Sequence, residues 1–204
     1  MINWKRPGKR IILASASPRR KQILSQMGLN FEIDVPATLD ERSFIEPDNL
    51  EGSLKKLAEK KAESIAENNK SALVLGADTV VCSDSTILGK PVSRDDAVAM
   101  LEQLSGKKHY VRTAVALICR ECGFSKSLVE TTEVYFRNLT NSEIDEYLID
   151  NEYRDKAGAY AIQGQALVFI DKINGCYYNV VGLPVAGTIK LFKEFVGRKE
   201  AADV

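Results

Sequence analysis

The residues of this 204-residue chain that could do chemistry fall in a few short stretches. The first is Ser15-Ala16-Ser17-Pro18-Arg19-Arg20, with Lys21 behind it. The apolar run Ile11-Ile12-Leu13 leads into it and reads as a strand. Pro18 suits the first position of a helix, and the serine before it suits its cap. Basic residues in a first helical turn add to the partial positive charge already present there. Hydroxyls, N–H groups and cations converging on one point make an anion site. A plain strand-to-helix turn with solvated arginines is the alternative. Lys61 is the second signal. It sits in the apolar stripe Leu50, Leu54, Leu57, Ala58, Ala62, Ile65 and Ala66. An ammonium facing inward is costly without an anion, unless the chain snorkels out past its neighbours. Lys56 and Lys60 fall off the stripe and read as solvated. The third signal is Asp78, which interrupts the apolar run over residues 72–81. A carboxylate there must be paired, bound to metal, placed at the open end of a sheet, or used to cap a turn.

Weaker signals complete the set. Residues 36–47 are irregular and partly acidic, holding Asp40, Glu41 and Arg42; a stretch of that length inside a domain is often functional. Lys90 stands between Gly89 and Pro91, two residues that fix backbone shape, so it is either held rigidly or simply exposed in a turn. Gln163 lies in the small-residue loop 155–164. Its amide offers one donor and one acceptor to a base edge, or to the local backbone.

These residues need elements to position them. Hydrophobic periodicity predicts strands over 10–14 and 31–35, and a helix over 18–27 stopped by Gly28. A long helix follows over 48–67, then a buried strand over 72–81 that turns into a short hairpin strand at 86–88. Ser93 starts a helix ending near 105, and long strands over 109–119 and 126–137 flank a turn at Gly123. Thr140-Asn141-Ser142-Glu143 is a capping box. Residues 167–173 and 176–181 read as a hairpin about Asn174-Gly175, and a last helix ends near Gly197. Early alternation of strands and helices, followed by hairpins, indicates an α/β or α+β fold with a mixed sheet. The expected organisation is a loose arm over 1–9, one domain over 10–197 and a polar tail over 198–204.

Composition narrows the function. Lys and Arg total 28, as do Asp and Glu, so the formal charge is zero. That argues against a nucleic-acid-binding module but allows a local basic pocket. No stretch is apolar enough to span a bilayer, and the basic N-terminus lacks an apolar signal core, so a cytoplasmic protein with no membrane partner is expected. Cys119-Arg120-Glu121-Cys122 has C-x-x-C spacing, but His109 is the single histidine and zinc would need more ligands. Cys82, Cys119, Cys122 and Cys176 read as free thiols, and His109 as structural.

Six short motifs, in order, carry a resemblance. They are Leu13-Ala14-Ser15-Ala16-Ser17-Pro18-Arg19-Arg20, Gly76-Ala77-Asp78-Thr79-Val80, Gly89-Lys90-Pro91, Leu104-Ser105-Gly106, Lys156-Ala157-Gly158-Ala159-Tyr160 and Val181-Gly182-Leu183-Pro184. Over residues 11–195 the chain resembles the Maf family of nucleoside triphosphate pyrophosphatases, in its dTTP/UTP branch. The resemblance implies an elongated, two-lobed α/β fold like that of inosine triphosphate pyrophosphatases, with the site in a cleft between lobes. It implies hydrolysis between the α and β phosphates of a nucleoside triphosphate, a divalent cation (Mg2+ or Mn2+), and, because members are often dimers, a homodimer. Asp78 matches the catalytic carboxylate and Glu41 a second acid, both serving as metal ligands. An extra residue between Phe31 and Glu41 makes Asp40 the fallback. Lys61 and Lys90 match catalytic cations, and Ser15, Ser17 and Arg20 match phosphate-binding positions. Arg19, Thr79 and Gln163 match the positions that select the base. Tyr153 replaces a usual proline and Gln165-Ala166 a glycine-rich run, departures that bear on base preference through the rim near Gln163. On this reading the substrate is the counter-anion of Lys61. The alternatives are a nucleotide-binding regulator without turnover and a pyrophosphatase directed at purines or 7-methyl-GTP.

Overall fold

A computed structural model describes residues 4, 5, 7–37, 41–83 and 86–202. The fold is mixed α/β. Its strands are β1 (Ile11–Leu13), β2 (Glu32–Ile33), β3 (Leu73–Ser83), β4 (Thr86–Leu88), β5 (Lys108–Cys119), β6 (Phe124–Phe136) and β7 (Ile170–Asn174). The sheet order is β2-β1-β3-β5-β6-β7, with β4 on β3. β1 runs parallel to β2 and to β3, pairing Leu13 with Leu75, whereas β4 is antiparallel to β3 and β7 to β6. The helices are α1 (Pro18–Gln26), α2 (Glu41–Phe44), α3 (Leu50–Ala66), α4 (Arg94–Leu104), α5 (Asn141–Tyr147), α6 (Tyr177–Val181) and α7 (Val185–Ala202). None of the described helices is long and apolar enough to cross a membrane.

Two compact units result. Unit 1 comprises Met1–Asp78, Thr113–Glu130 and Gly182–Val204. β1 and the first half of β3 are apolar at nearly every position and buried throughout, as expected of strands covered on both faces. Gly76 lets α3 lie directly on β3: a Cβ there would sit 2.4 Å from the Ala58 carbonyl oxygen and 2.9 Å from the Ala62 nitrogen. The small Ala58 and Ala62, both fully buried, complete that close approach. α7 packs on β6 through Gly187 against Leu128, and Phe195 meets Phe124 edge to face at 5.2 Å.

Unit 2 comprises Thr79–Arg112 and Thr131–Val181. Its core joins Val81, Leu101, Val134, Phe136, Tyr147 and Phe169, among others. α4 is capped by Ser93, which accepts from the Asp96 N–H, with Asp95 and Asp96 in the first turn where the helix dipole favours acids. The predicted capping box forms at Thr140 and Glu143. His109 is fully buried, its Nε2 2.8 Å from the Tyr160 hydroxyl and its ring edge to face with Phe136. Burial lowers its pKa to about 4, so the imidazole is neutral.

The structure departs from the sequence expectations at several points of the fold. Residues 176–181 are not a strand: β7 pairs with β6, and the chain then turns through Gly175 (φ 129°) into α6. Side chains hold that turn. Thr132 Oγ1 accepts from the Cys176 N–H, and Asn179 Nδ2 donates to Thr132 Oγ1 and the Val111 carbonyl. α7 continues past Gly197 to Ala202, because one glycine costs a helix only about 1 kcal/mol and the residues after it are good helix formers. The irregular stretch before α3 contains α2 and a 3-10 turn at Pro47–Asn49. Tyr153, expected to bear on a loop rim, is instead a core residue, 3 % exposed. The cysteines are free; Cys119 is buried at the β5–β6 turn, and burial, followed by the hydrogen bond its thiol shares with the Cys122 side chain, pushes its pKa up.

Candidate active site

β1 and β3 set the frame. The Ala14 N–H donates to the Leu75 carbonyl at 2.8 Å, carrying the parallel pairing one residue beyond β1 and delivering the chain to Ser15. The Ser15 hydroxyl, nearly buried, accepts from the Ser17 N–H (3.2 Å) and from Arg20 Nη1 (3.1 Å). Ser17 occupies the cap position of α1 without using its side chain as a cap, contrary to expectation; the serine two residues earlier takes the backbone bond instead. Arg20 also donates from Nε to the carbonyl of Gly182 at 3.0 Å. Gly182 has φ 121°, open to glycine and strained for other residues. Arg20 thus ties the β1–α1 loop to the segment that opens α7.

Burial around the guanidinium lowers the pKa of Arg20, and the charges of Asp78 and Glu41 oppose that shift while Arg19 reinforces it. The two carboxylates therefore lie within electrostatic reach of Arg20. Both bind Lys61: its Nζ is 2.5 Å from Asp78 Oδ1 and 2.6 Å from Glu41 Oε1. Strand periodicity explains the first contact. Gly76 and Asp78 are two residues apart on β3 and share a face, and Gly76 is where α3 touches the strand. Lys61 sits beside Ala62, one of the two residues at that contact, so its ammonium meets Asp78. Glu41 arrives from α2. Asp78 and Lys61 are 6 % and 7 % exposed, whereas the Glu41 side chain is 40 % exposed. The cluster is closed on one side and open to water at Glu41.

Lys61 faces inward as its spacing predicts, and the chain itself supplies two anions for it, Asp78 and Glu41. Lys60, expected to be solvated only, places its Nζ 4.6 Å from the centre of the Phe44 ring. Asp40 lies outside the described residues. Within unit 1, then, Ser15, Ser17, Arg20, Glu41, Lys61 and Asp78 converge, with Arg19 close enough to act on Arg20. Lys90, Thr79 and Gln163 belong to unit 2. Lys90 follows Gly89, whose carbonyl accepts from the Gly158 N–H at 3.0 Å. Thr79 is the residue after Asp78 on β3 and is half-buried. Gln163 is exposed in a tight turn closed by the Gly164 N–H on the Ala161 carbonyl.

Two contributions escape sequence reasoning. The Gly182 carbonyl meets Arg20 across 162 residues of chain, and only its place in a motif pointed to it. The Phe44 ring left no signal, because a phenylalanine in an irregular stretch looks like any other. Among the described residues no group of three or more His, Cys, Asp or Glu is placed to hold a metal ion.

Comparisons with known proteins agree with the motif order. The sequence model of the Maf family, described as Maf-like protein, matches residues 10–195. A dTTP/UTP pyrophosphatase of Bacillus cereus is 46 % identical over 190 residues, 92 % of this chain and 96 % of that protein. Proteins of the same name from Syntrophomonas wolfei and Desulforamulus reducens are each 47 % identical, covering 85 % and 86 % of this chain and 91 % of their own length. Among solved structures, the Staphylococcus aureus Ham1 protein is similar at TM-score 0.49 and 12 % identity, over 94 % of this chain and all of that one. The chain belongs to the Maf family.

Proposed function

We propose that this protein is a nucleoside triphosphate pyrophosphatase that hydrolyses dTTP and UTP to the monophosphate and pyrophosphate. One observation carries the reading: a single ammonium, Lys61, gathers two carboxylates, Asp78 and Glu41, within electrostatic reach of Arg20 and so of the anion-binding turn that Ser15 anchors. Three relatives with 46–47 % identity carry the name dTTP/UTP pyrophosphatase, which supports the choice of substrate.

Asp78 is the proposed base. It accepts a proton from water as the water oxygen attacks the α phosphorus, and the electron pair of the breaking bond leaves with the pyrophosphate. Lys61 holds Asp78 and Glu41 in register for this step. Arg20, Ser15 and Ser17 bind phosphate oxygens at the start of α1, where the helix dipole favours anions. Lys90 adds positive charge for the leaving group, and Arg19, Thr79 and Gln163 select the pyrimidine; these roles rest on the family resemblance.

The donor set fits a hard divalent cation. Asp78 and Glu41 offer oxygen ligands on different elements, and Mg2+ or Mn2+ commonly takes one or two carboxylates and completes its shell with water and substrate phosphates. Asp78 and Glu41 would supply its protein ligands, and such an ion would neutralise charge on the triphosphate. A cytoplasmic location and a homodimer belong to the same reading.

The test is a panel of canonical and modified nucleotides with Mg2+ or Mn2+, detecting pyrophosphate apart from orthophosphate. Pyrophosphate should appear fastest from dTTP and UTP, and Asp78→Asn should lower kcat by about 10²- to 10⁴-fold. Full turnover by Asp78→Asn would remove Asp78 from the mechanism. Tight binding without pyrophosphate release would make the protein a nucleotide-binding regulator.

A further inference from the structure

We infer that Phe44 and Lys60 form a latch that positions Glu41, an inference that rests on reading Glu41 as a site acid. α2 is a single turn of four residues and has no means of holding itself in place. Its position must come from what it touches, and it packs on α3. Glu41 and Phe44 are three residues apart, so they share the same face of that turn. They meet two consecutive residues of α3. Glu41 reaches Lys61 at 2.6 Å, and the Phe44 ring receives the Lys60 ammonium at 4.6 Å. A third tie follows α2, where the Glu46 N–H donates to Ser53 Oγ at 3.2 Å and that hydroxyl donates to the Leu50 carbonyl.

The latch matters because the Glu41 carboxylate is open to water. An ion pair exposed on one side holds a segment weakly, so the cation–π contact beside it decides how much of the time Glu41 stands against Lys61. Neither Phe44 nor Lys60 touches the reacting atoms. Both are positioning residues, and their effect must pass through Glu41.

Steady-state turnover of dTTP and backbone amide hydrogen exchange on the full chain test this together. Lys60→Met should lower kcat about two- to five-fold, the size of an exposed cation–π contact. Phe44→Ala, which also loses packing, should lower it about ten-fold with KM little changed. Phe44→Trp and Lys60→Arg should restore it. On a Glu41→Gln background, Phe44→Ala should cost less than two-fold further. Exchange over residues 41–46 should quicken in Phe44→Ala while residues 54–65 stay protected. An undiminished kcat in Phe44→Ala, or an equal loss on both backgrounds, overturns the latch. If the wild-type protein turns over no triphosphate, the functional reading fails, and exchange alone decides the latch: faster exchange over 41–46 in Phe44→Ala upholds it, and unchanged exchange overturns it.

Discussion

Both units bury neutral polar side chains, Ser53, Thr113 and Thr188 among those of unit 1, but among the described residues only unit 1 also buries an ionised cluster. Unit 1 buries charge: Lys61 and Asp78 are less than a tenth exposed and Arg20 is desolvated, with Glu41 at the open edge. Unit 2 buries neutral groups: His109, Thr132 and Asn179 are fully buried, and the Tyr160 hydroxyl meets the imidazole. A neutral group that finds a hydrogen bond is cheap to bury and helps fix one packing of the core. A charged cluster is expensive even when paired, and apolar residues of the same shape often serve stability as well or better. Charge in an interior therefore points to use, and neutral polarity to architecture.

The largest expected effect tests the charged side. Lys61→Met leaves two carboxylates facing each other with their shared cation gone. Removing one partner of a buried ion pair typically costs about 3–5 kcal/mol. Water at Glu41 puts the expected loss near the lower end, about 3 kcal/mol in urea unfolding. Asp78→Asn leaves the Lys61–Glu41 pair intact, so its loss of stability should be much smaller, while its kcat falls by about 10²- to 10⁴-fold. If Lys61→Met unfolds no more easily than wild type, the cluster is better solvated than its exposure indicates, and the contrast between the units weakens.

Much of the charged cluster was legible before the fold was known. Lys61 betrays itself by falling in an apolar stripe, and Asp78 by interrupting an apolar strand; both are violations of local pattern, which sequence shows well. What satisfies each violation was not legible. The sequence leaves the partner of Lys61 open, because nothing in the spacing says that residues 41, 61 and 78 converge. That depends on α3 lying on β3 at Gly76, a tertiary fact. The neutral cluster violates nothing and so gave no signal: Asn179 sits in Tyr-Tyr-Asn-Val-Val, whose β-forming side chains suggest a strand, while its bonds to Val111 and Thr132 hold a helix. Helix starts, which rest on contacts three residues apart, are legible at Ser93 and Thr140, where the structure forms both caps.

The neutral side has its own signature in pH. His109 has a folded pKa of about 4 against about 6.5 when unfolded. Between those values the unfolded chain binds a proton that the native chain does not. Stability is therefore full above pH 6.5, falls as pH drops toward 4, and loses nothing more from this group below that. The total is at most about 3 kcal/mol. Carboxylates elsewhere titrate in the same range, so the clean measurement is the difference between wild type and His109→Gln. The wild-type advantage should shrink from pH 7 to pH 4.5 while pyrophosphate release at pH 7 stays within about two-fold. A difference independent of pH would mean that His109 takes up its proton as readily in the native core as in the unfolded chain, and the neutral interior of unit 2 would lose its clearest member.

The smallest effect concerns a group of neither kind. Gln163 is exposed, uncharged and held in a four-residue turn by backbone bonding, so its side chain does no structural work that solvent could not replace. Gln163→Ala should leave stability within about 0.5 kcal/mol. If its amide reads the base, losing it should shift the relative kcat/KM among dTTP, UTP, CTP and GTP by several-fold, because an unpaired polar edge on the substrate is discriminated against only while its partner is present. A uniform change across all four nucleotides would give Gln163 a part in turnover and not in selection. An unchanged ranking with unchanged rates would place base selection elsewhere, with Arg19 and Thr79 the next residues to vary. That last result would sharpen the contrast between the units, since the charged cluster would then carry chemistry without help from this loop.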